Sequence, residues 1–291
     1  MPDQHPLAAT PHVALIGFGE AGSTFARAGG WEDGASAFDI APQRAAAMAD
    51  CGVAAAGNPA EALANAQVVL SLVTADQAVA AAIACAPHLQ PGTLWCDMNS
   101  VAPDTKRAAA AAITAAGGRY VDVAVMAPVD PARLNVPLLI AGPHAAAGMA
   151  ALGALGFAKT RVVGDAVGQA SAIKLCRSIM VKGLEALTAE MVLAASKAGV
   201  LDEVLASLDA SEKQVSWRTR ADYNLDRMML HGRRRSAEMA EAAVMLQHLG
   251  ITPLMTDNTV SWQQRIGEAE IRPLPEGLEG KLTALEERPK S

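Results

Sequence analysis

The chain changes character near Val163, and that change limits what it can fold into. Before that point, apolar runs rich in Val, Ile and Leu alternate with Ala-rich stretches bounded by Pro and Gly. "HVALIGFG", "ASAFDI", "VVLSLVT", "GTLWCDMN", "RYVDVAVM" and "PLLIAG" read as strands. "EAGSTFARAGG", "PQRAAAMADCG", Ala75–Ala86 and "PDTKRAAAAAITAAGG" read as the helices between them. Strands alternating with helices imply βαβ units, and near-continuous apolar strands imply a sheet covered on both faces. Beyond Val163 only helical patterns remain: Val167–Ser196, "LDEVLASLDASE", "VSWRTRADYNLDRMML", "SAEMAEAAVMLQHLG" and "TDNTVSWQQRIGEA". The Pro- and Glu-rich tail from Pro273 reads as loose. The expected fold is therefore α/β: a doubly wound, mostly parallel Rossmann-type sheet over residues 1–165. An all-α domain follows over residues 166–291.

The glycines of "VALIGFGEAG" give the first half a purpose. Gly17, Gly19 and Gly22 stand in G-x-G-x-x-G spacing after a strand and at the opening of a helix. That arrangement permits a tight turn, close approach of a pyrophosphate, and close helix–strand packing. The anion would rest on the free N–H groups of the helix start. Asp39 ends the second strand, where a carboxylate accepts from the adenosine ribose hydroxyls and repels a 2′-phosphate. NAD is the expected cofactor, with NADP kept open by Arg44 one helical turn on. Phe18, Glu20, Ala21, Val73, Thr74 and Asn99 complete the expected cofactor contacts.

The long helix from Val167 poses the chemical question. Ser171, Lys174, Ser178, Lys182 and Glu185 recur at steps of three and four, forming one polar stripe on a helix that otherwise looks buried nearly all round. The stripe is either a solvent face or the wall of a cleft. A lysine held among apolar side chains has its pKa pulled down toward values useful for proton transfer.

These segments resemble the β-hydroxyacid dehydrogenase family, whose members include 3-hydroxyisobutyrate and 6-phosphogluconate dehydrogenases. The resemblance rests on "GFGEAG", "DMNSVAPDT", "YVDVAVMAP", "PLLIAGP" and "GQASAIKL" and runs over nearly the whole chain. It implies that Lys174 is the general acid/base facing nicotinamide and substrate. It also implies a small carboxylic acid as substrate, bound by Asn99, Ser100, Met126 and Ser178, and a homodimer built on the helical domain. The sequence departs from the family pattern in four places. Ser178 stands for an Asn, Ala170 for a Gly, Asn99 for the substrate-side Ser of D-x-S-T, and Met126, Ala127 and Pro128 for a Ser-Gly-Gly whose N–H groups bind carboxylate. Pro128 has no N–H to give. The stretch "DVAVMAPV" is similar to imine reductases, so reduction of C=N bonds by NAD(P)H is the alternative activity. Binding of NAD without turnover is the non-enzymatic one. In "HGRRRSAEMAEAA", His231, Arg233 and Arg234 are candidates to reach an acidic substrate.

Composition narrows the field. Of 291 residues, 51% are hydrophobic but only 3% aromatic, so the core must be aliphatic. A net charge of -6 gives no electrostatic case for nucleic acid. The four cysteines lie far apart without metal-ligand spacing, so neither a metal nor a disulfide framework is expected. Absence of a signal-like start and of a membrane-length apolar run leads to the expectation of a cytoplasmic chain. Met228, Met229, Met239 and Met245 fall at helical spacing and read as core.

Overall fold

The computed structural model describes residues 11–211 and 215–287. It divides into two compact units, Met1–Ile179 and Met180–Ser291. The first is built on one eight-stranded sheet of β1 (Val13–Ile16), β2 (Ala35–Phe38), β3 (Ala54–Ala55), β4 (Val68–Ser71), β5 (Leu94–Asp97), β6 (Arg119–Val125), β7 (Leu138–Ala141) and β8 (Thr160–Gly164). The strand order is β3-β2-β1-β4-β5-β6-β7-β8. Six helices accompany it: α1 (Glu20–Gly29), α2 (Arg44–Asp50), α3 (Pro59–Leu63), α4 (Ala78–Cys85), α5 (Pro103–Ala115) and α6 (Ala145–Ala154). This is the expected Rossmann-type sheet. Alternate side chains of each strand feed opposite layers. Val13, Leu15, Val68 and Leu70 join one core, while Ala14, Ile16, Val69 and Trp95 join the other. A sheet buried on both faces needs such apolar strands.

The chain leaves β1 toward β2 on one side and returns to β4 on the other, so the order reverses between β1 and β4. Ligands of doubly wound sheets bind at the carboxyl ends of the strands at that reversal. Two strands run against the rest: β7 pairs antiparallel with β6, and β8 lies parallel to β7. The segment joining β6 to β7 carries Pro128, Pro131 and Pro137, which rule out the crossover helix that a parallel return needs. The two-residue β3, the short α3, α6 and the half-exposed β8 leave little periodic signal and were not expected from the sequence.

The long helix is α7 (Gln169–Lys197), and the division between the units falls inside it. The second unit continues with α8 (Leu201–Ser211), α9 (Trp217–His248), α10 (Leu254–Gly267) and α11 (Gly277–Glu286). Three expectations need correction here. The two helices read around "HGRRR" are one, α9, because Gly232 packs against α10 instead of breaking the helix. A Cβ on Gly232 would lie 2.4 Å from Gln263 O, and one on Gly267 would lie 2.4 Å from Arg233 N. The segment after Pro273 is not loose throughout. It forms α11, whose buried Lys281 pairs with Asp222 at 2.5 Å and Asp226 at 2.9 Å. Finally, α7 is not buried all round: Ile173, Met180, Leu184 and Leu187 are exposed. Met229 is in the core as expected, whereas Met245 lies outside the residues whose side chains are described.

Candidate active site

The glycine loop joins β1 to α1, and each glycine answers to a separate constraint. Gly17 has φ +96°, and a Cβ there would lie 2.7 Å from Leu72 O. A Cβ on Gly22 would lie 2.7 Å from Gly17 O. At Gly19 a Cβ would meet nothing within 4 Å, so no neighbouring protein atom demands glycine there. Open space over the second glycine, at the N-cap of α1, is what a pyrophosphate requires. The loop fits a dinucleotide.

Asp39 directly follows β2 and has two duties. Its Oδ2 accepts from Phe18 N at 2.7 Å and its Oδ1 from Ala41 N at 2.8 Å. The carboxylate therefore braces the glycine loop and keeps lone pairs for a ribose. Gly17, Gly19, Asp39, Arg44, Val73 and Thr74 line one cavity of about 440 Å³ beside β1, β2 and β4. Phe18 turns its ring into the core and offers only backbone. Glu20 and Ala21 open α1.

The carboxyl end of β5 supplies the second part. Asn99 is 5% exposed, and its Nδ2 donates to Ser71 Oγ at 2.9 Å, at the end of β4. Its Oδ1 is buried without a hydrogen-bond partner. A buried acceptor left open is costly, so this atom suits a donor from a ligand. Ser100 is exposed, and its Oγ accepts from Lys174 Nζ at 2.5 Å. Lys174 is half-buried on the second turn of α7. The Lys174–Ser100 contact thus brings Lys174 to the turn after β5 that carries Asn99 and Ser100.

The first turns of α7 are held to the sheet by groups that the sequence reading missed. Asp122 Oδ2 accepts from Gly168 N at 3.0 Å and Ser171 N at 3.2 Å, and Ser171 Oγ donates to Val101 O. Lys106 Nζ lies 3.0 Å from Asp97 Oδ1 and 3.4 Å from Asp122 Oδ1. Tyr120 donates to Asp97 Oδ2 at 2.6 Å, and burial, then the Asp97 charge, push its phenol far above the ordinary range, so it stays protonated.

Other expected residues stand elsewhere. Met126 gives its N–H to Pro137 O at 2.9 Å and packs its side chain with Ala124, Leu139 and Ala170. With that N–H engaged and Pro128 lacking one, the Met126–Pro128 loop is poor in donors for a carboxylate. Ser178 is half-buried one turn beyond Lys174. The side chains of Lys182 and Glu185 lie outside those described. His231, Arg233 and Arg234 line a separate cavity of about 310 Å³ in the second unit, where Arg233 pairs with Glu270 at 2.7 Å. Among the described residues, no group of three or more His, Cys, Asp or Glu could hold a metal ion. None of the described helices is long and apolar enough to cross a membrane.

The profile of the NAD binding domain of 6-phosphogluconate dehydrogenase matches residues 12–155, and that of a domain of unknown function (DUF1932) matches residues 195–266. A conserved hypothetical protein from Sinorhizobium meliloti is 36% identical, with 96% of each chain covered and a TM-score of 0.61. A conserved protein of unknown function, described as structurally similar to 3-hydroxyacid dehydrogenases, is 30% identical at a TM-score of 0.59. That match covers 88% of this chain and 96% of the other. The chain belongs to the 6-phosphogluconate dehydrogenase-like family of NAD-binding proteins. Its cofactor is accordingly a nicotinamide dinucleotide, and the family is of oxidoreductase type. An imine reductase from Pseudomonas sp. shares the fold at a TM-score of 0.72 and 20% identity, covering 95% of this chain and 99% of its own.

Proposed function

We propose that the protein transfers a hydride between NAD and the hydroxyl or carbonyl carbon of a small hydroxy acid, with Lys174 as general acid/base. The observation that carries this reading is the Lys174–Ser100 contact beside the open amide oxygen of Asn99. The bound nicotinamide supplies the hydride acceptor in one direction and the donor in the other. Lys174 as a neutral amine takes the hydroxyl proton during oxidation, and as an ammonium returns it to the carbonyl oxygen during reduction. Ser100 accepts from Lys174 and keeps its nitrogen at the substrate side. Asn99, fixed by Ser71, offers its amide oxygen to a donor of cofactor or substrate. Asp39, beside the ribose end of the cavity, favours NAD over NADP because a carboxylate repels a 2′-phosphate.

The donor-poor Met126–Pro128 loop favours a second reading, reduction of an imine with NAD(P)H, since an imine carries no carboxylate to bind. One assay separates the two. Purified protein is offered NAD or NADP with hydroxy acids, and NADH or NADPH with cyclic imines. Turnover of hydroxy acids with NAD is expected; turnover of imines alone would overturn the first reading. Lys174→Met is expected to lower kcat by about 10²–10⁴-fold, the usual worth of a positioned acid/base, while NADH binding followed by fluorescence is kept. An unchanged kcat would remove Lys174 from the chemistry.

A further inference from the structure

We propose that Lys106 is a positioning residue that sets Lys174 against Ser100 through a buried ion triad. The ammonium of Lys106 is wholly buried and sits where three segments meet. It donates to Asp97 Oδ1 at 3.0 Å and to Asp97 O at 2.6 Å at the end of β5. It lies 3.4 Å from Asp122 Oδ1 on β6. Each carboxylate spends its other bonds on a different part of the candidate site. Asp97 Oδ1 also accepts from Asn99 N at 2.9 Å and so shapes the turn that carries Asn99 and Ser100. Asp122 Oδ2 accepts from Gly168 N and Ser171 N, and so anchors the start of the helix that carries Lys174. The ammonium hydrogen-bonds to the Asp97 anchor and stands within ion-pair distance of the Asp122 anchor, whose Oδ1 is buried with no hydrogen-bond partner among the described residues.

Stability alone does not account for this lysine. It lies in the first turns of α5, where the helix dipole opposes a cation. Replacing a buried ion pair by apolar side chains of similar size is often neutral or stabilising. What an apolar residue cannot do is hold two carboxylates at a fixed separation. That separation relates the Ser100 turn to the α7 start, and the 2.5 Å contact between Ser100 and Lys174 spans the same gap.

This inference rests on Lys174 as the proton-transfer group, but its test reads Lys174 directly. Lys106→Met leaves two carboxylates without their common partner. Lys106→Met/Asp122→Asn removes one of those charges and keeps an acceptor for α7, so it serves if the single variant does not fold. In either variant, labelling of Lys174 by trinitrobenzenesulfonate, followed by mass spectrometry, is expected to run at least about fivefold faster than in the wild type. Labelling of the exposed Lys159 stays constant as the internal control. Labelling of Lys174 at the wild-type rate in a folded variant would overturn the proposal. So would failure of both variants to fold, which would make Lys106 a core residue and nothing more. Should Lys174→Met keep full turnover, the catalytic reading falls while the labelling result stands, so the two failures are distinguishable.

Discussion

Gly19 and Gly22 stand three residues apart, yet they separate cofactor binding from folding. Gly19→Ala places its methyl in open space, with a backbone φ of -78° that alanine accepts. The folded protein is expected to keep its Tm within about 2 °C, since a compatible Gly→Ala change alters stability by under about 1 kcal/mol. NADH binding, measured by fluorescence, is expected to weaken at least tenfold, because the methyl occupies the approach of the pyrophosphate. Gly22→Ala drives a methyl to 2.7 Å from Gly17 O and is expected to cost about 1–3 kcal/mol in thermal denaturation. Equal loss of Tm in both variants would refute the assignment. These positions are legible in the sequence because what makes a glycine necessary is local: a turn, a close approach, a helix start. Helical spacing makes the polar stripe through Ser171, Lys174 and Ser178 legible, while the choice of Lys174 within it comes from the family resemblance. Lys106 is not legible. Its meaning depends on Asp97 and Asp122, which are brought side by side by the pairing of β5 with β6.

At the scale of the element, the sequence reading locates helices and strands where periodicity is strong, and misses those whose existence depends on a neighbour. The α9 helix runs through Gly232 because α10 fills the space a side chain would need. The α11 helix is ordered by Lys281, whose two aspartate partners lie on α9. Another long-range tie has a measurable consequence. Glu190 on α7 is 8% exposed and caps α10 from a distance, accepting from Met255 N at 2.9 Å, Thr256 N at 3.0 Å and Thr256 Oγ1 at 2.6 Å. Burial pushes its carboxyl up, but these bonds outweigh it and leave the group below its ordinary value of 4.5. A depressed folded pKa contributes stability above the unfolded value, and that stability is lost as pH falls through the folded one. Glu190→Gln keeps the shape and exchanges charged for neutral hydrogen bonds, at an expected cost of about 1–2 kcal/mol at pH 7. The Tm gap between wild type and variant is expected to be constant from pH 8 to about pH 6 and to narrow below about pH 4.5. A gap unchanged in acid would show that the charge of Glu190 is not what holds α10.

For the whole molecule, the exposed side of α7 bears on how many copies form the working unit. Ile173, Met180, Leu184 and Leu187 are 41–46% exposed and follow one another at steps of seven, four and three, which places them on one face of the helix. The family resemblance implies a homodimer, and we propose that a second copy of the chain covers this stripe. Covering the exposed parts of four such side chains on each of two copies is worth roughly 8 kcal/mol. Association itself costs about 4–15 kcal/mol, so a stable pair needs more apolar surface than the stripe alone provides. The exposed Trp217, Tyr223, Leu254 and Trp262 of the second unit are the further apolar surface a stable pair would need. Light scattering after gel filtration at about 20 µM is therefore expected to give twice the chain mass for the wild type. Leu184→Glu, which sets a carboxylate in the middle of the stripe, is expected to run as a monomer with unchanged helix content by circular dichroism. Because the NADH cavity belongs wholly to the first unit, that monomer should still bind NADH while losing thermal stability that depends on protein concentration. A wild-type monomer at this concentration, or a dimer that survives Leu184→Glu, would locate the contact elsewhere or dispense with it.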